Sequence, residues 1–357
     1  MAAETKVSRA ALLKLLAAFA IVYVIWGSTY LAIAIAIDTI PPLAMAGARF
    51  VIAGSVLYAF LRLRGVPNPE PRQWRAAGIV GALLLVGGNG CVVMAERTVP
   101  SGIVALLVAT VPLWMVLLEW LRPGGGVRPA RRTFVGLAVG FAGMVLLVGP
   151  GELSGGGGVP LGGAAIVFAG SLSWAFGSIW ARQAPMPKNP LMATAVEMLS
   201  AGVLLTVIAG ATGELSSVGA QAVTLKSLLA LGYLIVFGSL VAFSAYVWLL
   251  RATTPALVST YAYVNPVVAV FLGWLVLGEP VTGRTLLAAA VIIAAVAIIT
   301  IGGKRPAEDA PAKVLDEGAA ASPLSEDAEI GGAGKTARAS SPANLAPMRK
   351  RASSGGR

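Results

Sequence analysis

Long apolar runs separated by short polar connections make up most of the sequence. At ~1.5 Å per helical residue, about 20 apolar residues cross the ~30 Å hydrocarbon core of a bilayer. Ten runs have about this length, at residues 12–37, 41–62, 74–95, 99–121, 132–150, 160–181, 190–212, 226–250, 255–278 and 282–302. The pattern therefore predicts an all-α integral membrane protein with ten transmembrane helices.

The segments outside these runs are polar. Residues 1–11 are predicted to be a cytoplasmic N-terminus, and the following run is too long for a signal peptide, so it is read as a retained first span. Residues 303–357 are rich in Pro, Ser, Ala, Gly and charge. Such a composition cannot build a core, so this segment is predicted to be a disordered cytoplasmic tail.

The two halves of the chain share residue spacings. Two sets with equal internal spacing, 154 residues apart, are Arg97, Pro112, Trp120 and Arg251, Pro266, Trp274. Pairs related by a shift of 148 are Trp26 with Trp174, Arg49 with Glu197 and Gly54 with Gly202. These matches predict two five-helix repeats, at 12–150 and 160–302. Because each repeat has an odd number of spans, the two must be inverted relative to one another.

Basic residues are distributed unevenly between the span ends. Sixteen Lys and Arg fall on one predicted side, whereas Arg97, Lys226 and Arg284 are on the other. The positive-inside rule then places both termini of this multi-pass membrane protein in the cytoplasm. The same distribution accounts for the net charge of +11, so no nucleic-acid partner is expected.

The amino-acid composition limits the kinds of functional site that the protein can have. The chain is 57% apolar and 12% charged, with a mean hydropathy of +0.82, which is typical of polytopic membrane proteins. It has no histidine and one cysteine, Cys91, so histidine metal sites, histidine proton relays and an intrachain disulfide are excluded. The run Gly155–Gly158 lacks the Lys-Ser/Thr of a phosphate-binding loop. No metal, cofactor or enzymatic activity is expected.

Two charged residues fall deep inside predicted spans. Arg49 and Glu197 each lie roughly 10 Å from a membrane face by helical rise. A charge at that depth is costly and indicates a functional site facing protein or water. Arg49 is suited to a substrate carboxylate or phosphate, and Glu197 to an amine or a proton. The alternative is a structural role, with the two paired to each other or to helix carbonyls.

Aromatic and hydroxyl side chains form further candidate faces. Span one carries a stripe of Phe19, Tyr23, Trp26 and Tyr30, with Ser28 beside it. Span six carries Ser171, Trp174 and Ser178 on one face. Both faces are suited to line a substrate cavity, and both are equally consistent with helix packing.

Span nine has two polar faces. Ser259 and Tyr263 share one, while Tyr261 and Asn265 share nearly the opposite one. One is expected to line the cavity and the other to contact a neighbouring helix, and the sequence leaves the choice open. Asn89 in span three, among glycines, is either a cavity group or an interhelical hydrogen-bonding group.

The remaining residues of interest are two prolines inside spans and three glutamates at span ends. Pro112 and Pro266 lie inside apolar runs and predict helix bends. Glu96, Glu119 and Glu279 lie at span ends, where they are expected to be ordinary water-accessible residues.

Several short motifs resemble one known family. They are Trp26–Ser28, Arg49–Phe50, Val99–Gly102, Ala109–Leu113, Ser173–Ser178, Glu197–Leu199 and Ser259–Val270. Together, over residues 15 to 302, they resemble the EamA branch of the drug/metabolite transporter superfamily, and most of all its YedA-type bacterial inner-membrane permeases.

This resemblance implies an inverted five-plus-five transporter, with spans one to four and six to nine around a central cavity. It implies export of small organic metabolites, such as amino acids or toxic compounds, by alternating access. The expected partners are the substrate, the lipid bilayer and a coupling proton or counter-substrate; no oligomeric state is predicted. The alternatives are an uptake or exchange permease and a non-transporting membrane sensor.

Overall fold

The computed structural model describes residues 9–121, 130–148, 159–218, 222–253, 258 and 260–301, and helices account for its regular structure. The predicted tail at 303–357, residues 1–8, the glycine run and Ser259 lie outside this described part. The all-helical prediction is confirmed for the part of the chain that is described.

Ten main helices follow one another along the described part of the chain. They are α1 (Arg9–Ala36), α2 (Pro42–Leu63), α3 (Pro71–Ala95), α4 (Ser101–Leu121), α5 (Arg131–Val148), α6 (Leu161–Ala181), α7 (Pro190–Ala211), α8 (Leu225–Leu249, with helical turns reaching Ala252), α9 (Tyr261–Leu277) and α10 (Gly283–Ile301). A single turn, Glu214–Ser217, lies between α7 and α8. Among the described residues, the eight helices α1–α8 are long and apolar enough to cross a membrane, whereas α9 and α10 are apolar but have shorter apolar stretches.

Two helices contain a π-helical segment. In α3 it covers Ala82–Asn89, and in α8 it covers Leu234–Val241, eight residues in each case. Wider π turns interrupt the regular pairing of N–H and C=O groups and shift the register of the side chains that follow; they are frequent at functional sites. Each segment lies in the third helix of its half, so the two halves carry the same irregularity at matching places.

The two predicted bends differ. Helix α4 is interrupted at Ala109–Thr110, immediately before Pro112, which then lies near the start of the segment Val111–Leu121. A proline at this position costs little helix stability, because the first N–H groups of a helix have no intrahelical partner. Pro266, in contrast, lies inside the continuous helix α9 and removes the donor that the carbonyl of Ala262 would otherwise accept.

Among the described helices, α2 and α7 form the most extensive contact between the two halves. A Cβ on Gly54 would lie 2.7 Å from the backbone nitrogen of Leu199, and a Cβ on Gly202 would lie 2.5 Å from that of Val51. Leu199 follows Val51 by 148 positions, and Gly202 follows Gly54 by the same number. The contact is therefore reciprocal, as at a two-fold interface where residue i meets j and j meets i.

Several other contacts also join one half to the other. Helix α1 packs on α8 and α9, α6 packs on α3 and α4, and α5 packs on α10. At one end of the bundle, the ends of α1, α3, α7 and α9 meet the beginnings of α2, α4, α6 and α8; we call it the distal end. The contacts that define it include Ser227 Oγ donating to the Ile35 carbonyl at 2.9 Å.

Candidate functional site

Arg49 lies at the interface between the halves. It is only 4% exposed, and its Nε donates to Ser239 Oγ at 2.9 Å. Its guanidinium carbon lies 4.9 Å from the centre of the Phe50 ring. The Nη1 atom is buried and has no hydrogen-bond partner among the residues that the structure describes. Arg49 thus presents a charged donor to the interior with hydrogen-bonding capacity left over.

The π segment of α8 supplies the groups around this guanidinium. Ser239 is fully buried, and a Cβ on Gly238 would lie 3.3 Å from Arg49 Nη2. The Gly238 carbonyl accepts a hydrogen bond from Trp26 Nε1 at 3.3 Å. The absence of a side chain at Gly238 lets α1, α2 and α8 approach one another at this point.

Arg49 and Glu197 do not form a pair. Since Gly54 faces Leu199 across the antiparallel contact, Glu197 lies opposite residue 56, about 10 Å along α2 from Arg49. The backbone of Glu197 packs instead against Gly81, whose Cβ would lie 2.4 Å from the Glu197 carbonyl oxygen. Within the described chain no salt bridge joins the two, so the structure does not bring them together.

The aromatic stripe of α1 packs against the second half. The Trp26 ring lies 5.1 Å from each of the Phe243, Tyr246 and Tyr261 rings, and the Tyr23 hydroxyl bonds to Thr260 Oγ1. These rings fill the space between α1, α8 and α9 and contribute dispersion and edge-to-face contacts. Trp26 and Tyr261 therefore form one aromatic cluster, with Phe243 and Tyr246 as members that the sequence reasoning missed.

Ser28 and Tyr30 lie elsewhere on α1. The Ser28 hydroxyl bonds to the Tyr233 hydroxyl at 2.6 Å and donates to the Ile25 carbonyl. The half-buried Tyr30 packs against the main core of the bundle. Ser28 thus has protein partners, which favours a packing role for it over contact with a solute.

The two faces of α9 have different neighbours. With its amide nitrogen turned toward α1, Asn265 lies 3.3 Å from the Tyr23 carbonyl and 3.2 Å from that of Tyr261. The Tyr263 hydroxyl donates to the Val296 carbonyl of α10 at 3.1 Å. The face of Tyr261 and Asn265 therefore meets α1, and Tyr263, a candidate from the sequence, points away toward the last helix.

Helices α3 and α6 meet at the other π segment. Trp174 lies over Gly88, where a Cβ would be 2.6 Å from the indole ring, and Ser178 donates to the Trp174 carbonyl at 2.8 Å. Asn89 Oδ1 and Ser171 Oγ are buried and have no hydrogen-bond partners in the described part of the chain. Unpartnered buried polar atoms cost free energy unless water or a ligand satisfies them.

Glu96 contradicts the expectation for span ends, because its side chain is 9% exposed and neither carboxylate oxygen has a hydrogen-bond partner among the described residues. Glu279 also has a specific role: its carboxylate accepts from the Ser101 and Gly102 backbone N–H groups at 2.7 and 3.0 Å. Glu214 binds the start of α2 in the same way, accepting from the backbone N–H groups of Leu43 and Ala44. The sequence gives no direct signal for these pairs, since each joins residues more than 150 positions apart.

An apolar groove of about 440 Å³ lies beside α9 and α10. Its lining includes Leu106, Phe271, Trp274 and Ile293, together with Pro266. Among the candidate residues that the structure describes, Pro266 alone lines this groove. The groove is therefore separate from the polar groups around Arg49.

A bundle of apolar helices with a buried cation and unpartnered polar atoms between its halves defines a polytopic membrane protein with an internal polar site. A profile of the EamA-like transporter family matches residues 12–149 and again 161–301. The chain therefore belongs to the EamA-like transporter family, and the class is membrane transporter.

Individual relatives agree with this assignment. The chain is 45% identical, over 82% of its length and 92% of the relative, to a protein of Escherichia coli K12 described as "Uncharacterized inner membrane transporter YedA". It is 28% identical to protein PecM of Dickeya dadantii, over 77% of this chain and 88% of PecM. A solved crystal structure covers 83% of this chain and 98% of its own with a TM-score of 0.53 at 22% identity, which supports the fold alone. The resemblance to YedA-type inner-membrane transporters is confirmed.

Proposed function

We propose that the protein is a secondary transporter that exports small organic metabolites across the bacterial inner membrane by alternating access. The observation that carries this proposal is Arg49, a buried cation held by Ser239 of the opposite half with one donor nitrogen left unpartnered. A charged donor kept in the interior at this cost is suited to an anionic group on a solute. The names of the relatives support transport in general.

The mechanism follows from two inverted five-helix repeats, here proposed for residues 12–150 and 160–302. The reciprocal packing of Gly54 and Gly202 and the matching π segments in α3 and α8 support this symmetry. In such a pair the halves rock about a site at their interface. Counting α9 and α10 as spans, the proposed topology has ten transmembrane helices.

The proposed orientation places both termini in the cytoplasm and the distal end outside. This orientation rests on the excess of Lys and Arg at the helix ends opposite the distal end. The carboxylates of Glu214 and Glu279 would then join the two halves on the extracytoplasmic side. The described conformation is accordingly proposed to be closed toward the outside.

The residues proposed to contact or position the substrate are those that lie between the halves. Arg49 would bind an anionic group, and Asn89 would offer an acceptor. Trp26, Tyr261 and Asn265 would form the wall contributed by α1 and α9. Pro112 and Pro266 are proposed as the points where α4 and α9 change shape.

Export can be tested by untargeted mass spectrometry of the medium around producing cells. Compounds enriched by the wild type should be absent with Arg49→Ala and retained with Arg64→Ala, an exposed arginine at the end of the same helix. Equal enrichment with both variants at matched membrane levels would contradict a role for Arg49. No enrichment with the wild type would favour uptake or sensing over export.

A further inference from the structure

At the distal end, a carboxylate of the second half forms hydrogen bonds to the first half. Glu279 Oε1 accepts from the Ser101 backbone N–H and from Ser101 Oγ, both at 2.7 Å, and Oε2 accepts from the Gly102 N–H at 3.0 Å. These donors belong to the first turn of α4, where free N–H groups and the helix dipole favour a negative charge. The contact joins the α9–α10 connection to the first half of the chain.

Backbone geometry is adapted to this carboxylate. Gly278 ends α9 with a φ of +67°, a left-handed conformation that glycine adopts without strain. A Cβ on Gly273 would lie 2.3 Å from Glu279 Oε2. The Glu279 carboxylate is thus fixed in position by the three hydrogen bonds that it accepts.

A second carboxylate lies nearby without any such support. Glu96 follows the last residue of α3, in the connection that leads to Ser101. Both its carboxylate oxygens are buried, and neither has a hydrogen-bond partner within the described ranges of the chain. The titratable groups that act on it are Glu279, Arg49 and Tyr30. Burial and the charge of Glu279 raise the pKa of Glu96 well above its ordinary value, against the opposing effect of Arg49.

The two carboxylates therefore have opposite environments. Glu279 accepts three hydrogen bonds from the start of α4. Glu96 accepts none from the described residues, and burial and the charge of Glu279 disfavour its ionised form. Between them, Glu96 is the member suited to gain and lose a proton when its surroundings change.

We propose that Glu96 is a proton-binding site that takes up one proton from extracytoplasmic water as the distal end closes and releases it as that end opens. The site deepens the proposed transport function and rests on it and on the proposed orientation. The step converts one carboxylate and one proton into a carboxylic acid and requires no other reactant. In the closed conformation the neutral acid lies beside Glu279 without charge repulsion.

The pH dependence has a definite sign. When the distal end opens, water reaches Glu96 and its pKa falls toward the ordinary glutamate value of ~4.3. The closed conformation, with the higher pKa, is then stabilised at low pH, and that advantage is lost as pH rises through its pKa. Between the two pKa values, each pH unit changes the ratio of closed to open protein by at most ~10-fold.

Infrared difference spectroscopy of the full chain in lipid nanodiscs tests the proton itself. The wild type should show a carboxylic-acid C=O band that disappears as pH rises, with a midpoint above that of ordinary glutamate. In Glu96→Gln this band should be smaller, by the contribution of one carboxyl group. Glu214→Gln, which alters a hydrogen-bonded carboxylate at the same end, should retain it. The same band in Glu96→Gln as in the wild type would overturn the proposal.

Cysteine labelling tests the opening. In a Cys91→Ser background, Val104→Cys places a reporter in α4 at a fully buried position one turn beyond Ser101. Rates are divided by those of the same cysteine in unfolded protein at each pH, because the thiolate is the reactive form and its fraction itself rises with pH. The corrected rate with a membrane-impermeant thiol reagent added outside should increase as pH rises, by up to ~10-fold per unit. With Glu96→Gln the corrected rate should stay low at every pH, and with Glu214→Gln the pH slope should remain. A wild-type slope in Glu96→Gln would contradict the inference.

Two further observations keep the test decisive. If Glu96→Gln fails to reach the membrane, Glu96→Asp retains a carboxyl group and should retain a pH slope, and loss of the slope in that variant would also contradict the proposal. Neither readout needs a substrate. A pH slope that depends on Glu96 in a protein without export would refute the proposed function alone, whereas export without that slope would refute the proton site alone.

Discussion

Arg49 donates its Nε–H to Ser239 Oγ at 2.9 Å, so a cation from the second helix of one half is held by the third helix of the other. Ser239 lies in a π segment beside Gly238, which leaves room for the guanidinium. Any rocking of one half against the other changes this contact. The pair therefore couples the buried charge to the relative position of the two halves.

Removal of the Ser239 hydroxyl should reduce transport without unfolding the protein. A hydrogen bond to a charged group contributes about 1.5–3 kcal/mol, so Ser239→Ala should lower transport efficiency roughly 10- to 100-fold. Ser216→Ala, which removes an exposed hydroxyl, is the matched control and should behave as wild type. Initial transport rates at equal protein density measure the difference; equal rates for the two variants would refute the importance of the contact.

A methyl group at the α2–α7 contact should destabilise the protein. At Gly54 or Gly202 a new Cβ meets backbone atoms of the partner helix, and overpacking of this kind costs about 1–3 kcal/mol. Gly232→Ala, in a helix with open space around it, should be neutral or stabilising by roughly 0.5–1 kcal/mol. Thermal unfolding in detergent compares the three. A similar effect of Gly54→Ala and Gly202→Ala is expected from their reciprocal positions, and unchanged melting in both would contradict the close contact.

The two faces of α9 should respond differently to substitution. Tyr263→Phe removes a hydrogen bond to the Val296 carbonyl and should cost about 0.5–1.5 kcal/mol of stability, with apparent substrate affinity unchanged. Asn265→Ala, on the face that meets α1, should change apparent affinity or rate. Concentration dependence of transport separates the two effects. A larger change in affinity for the Tyr263 variant would reverse the assignment of the faces.

Loss of the Trp26 ring should open the aromatic cluster between the halves. Truncation of a packed tryptophan costs about 3–5 kcal/mol, so Trp26→Ala should lower the melting temperature strongly. Trp26→Phe retains a ring but loses the hydrogen bond to the Gly238 carbonyl, and should fold with a smaller loss. Trp248→Ala, a half-exposed ring on the same helix as Tyr246, is the comparison. Equal losses for Trp26→Ala and Trp248→Ala would argue against the cluster.

Apolar run lengths and spacing were sufficient to predict the helices, because a bilayer imposes both length and helical structure on a spanning segment. The same reasoning identified Arg49, whose burial in an apolar run is costly in any fold. It could not identify Ser239 or Gly238 as its neighbours, because the π segment of α8 shifts the side-chain register away from the regular helical period.

Other features depended on tertiary contacts. Tyr263 and Tyr261 look equivalent in sequence, and only the position of α10 assigns Tyr263 to packing. Glu96 and Glu279 both looked like ordinary interfacial residues, yet one is buried without partners and the other binds the start of α4. Helix ends far apart in sequence create these environments, so local patterns contain no trace of them.

Flux through the purified protein tests the central claim most directly. Proteoliposomes would be loaded with the compounds that producing cells enrich in their medium, and release of each would be followed for wild type, Arg49→Ala and Arg64→Ala. Wild type and Arg64→Ala should give saturable release, and Arg49→Ala should release at least roughly 10-fold more slowly, as expected for loss of a charged hydrogen-bonding group. Release at the same rate from all three preparations and from loaded liposomes without protein would contradict a transport role for the chain and for Arg49.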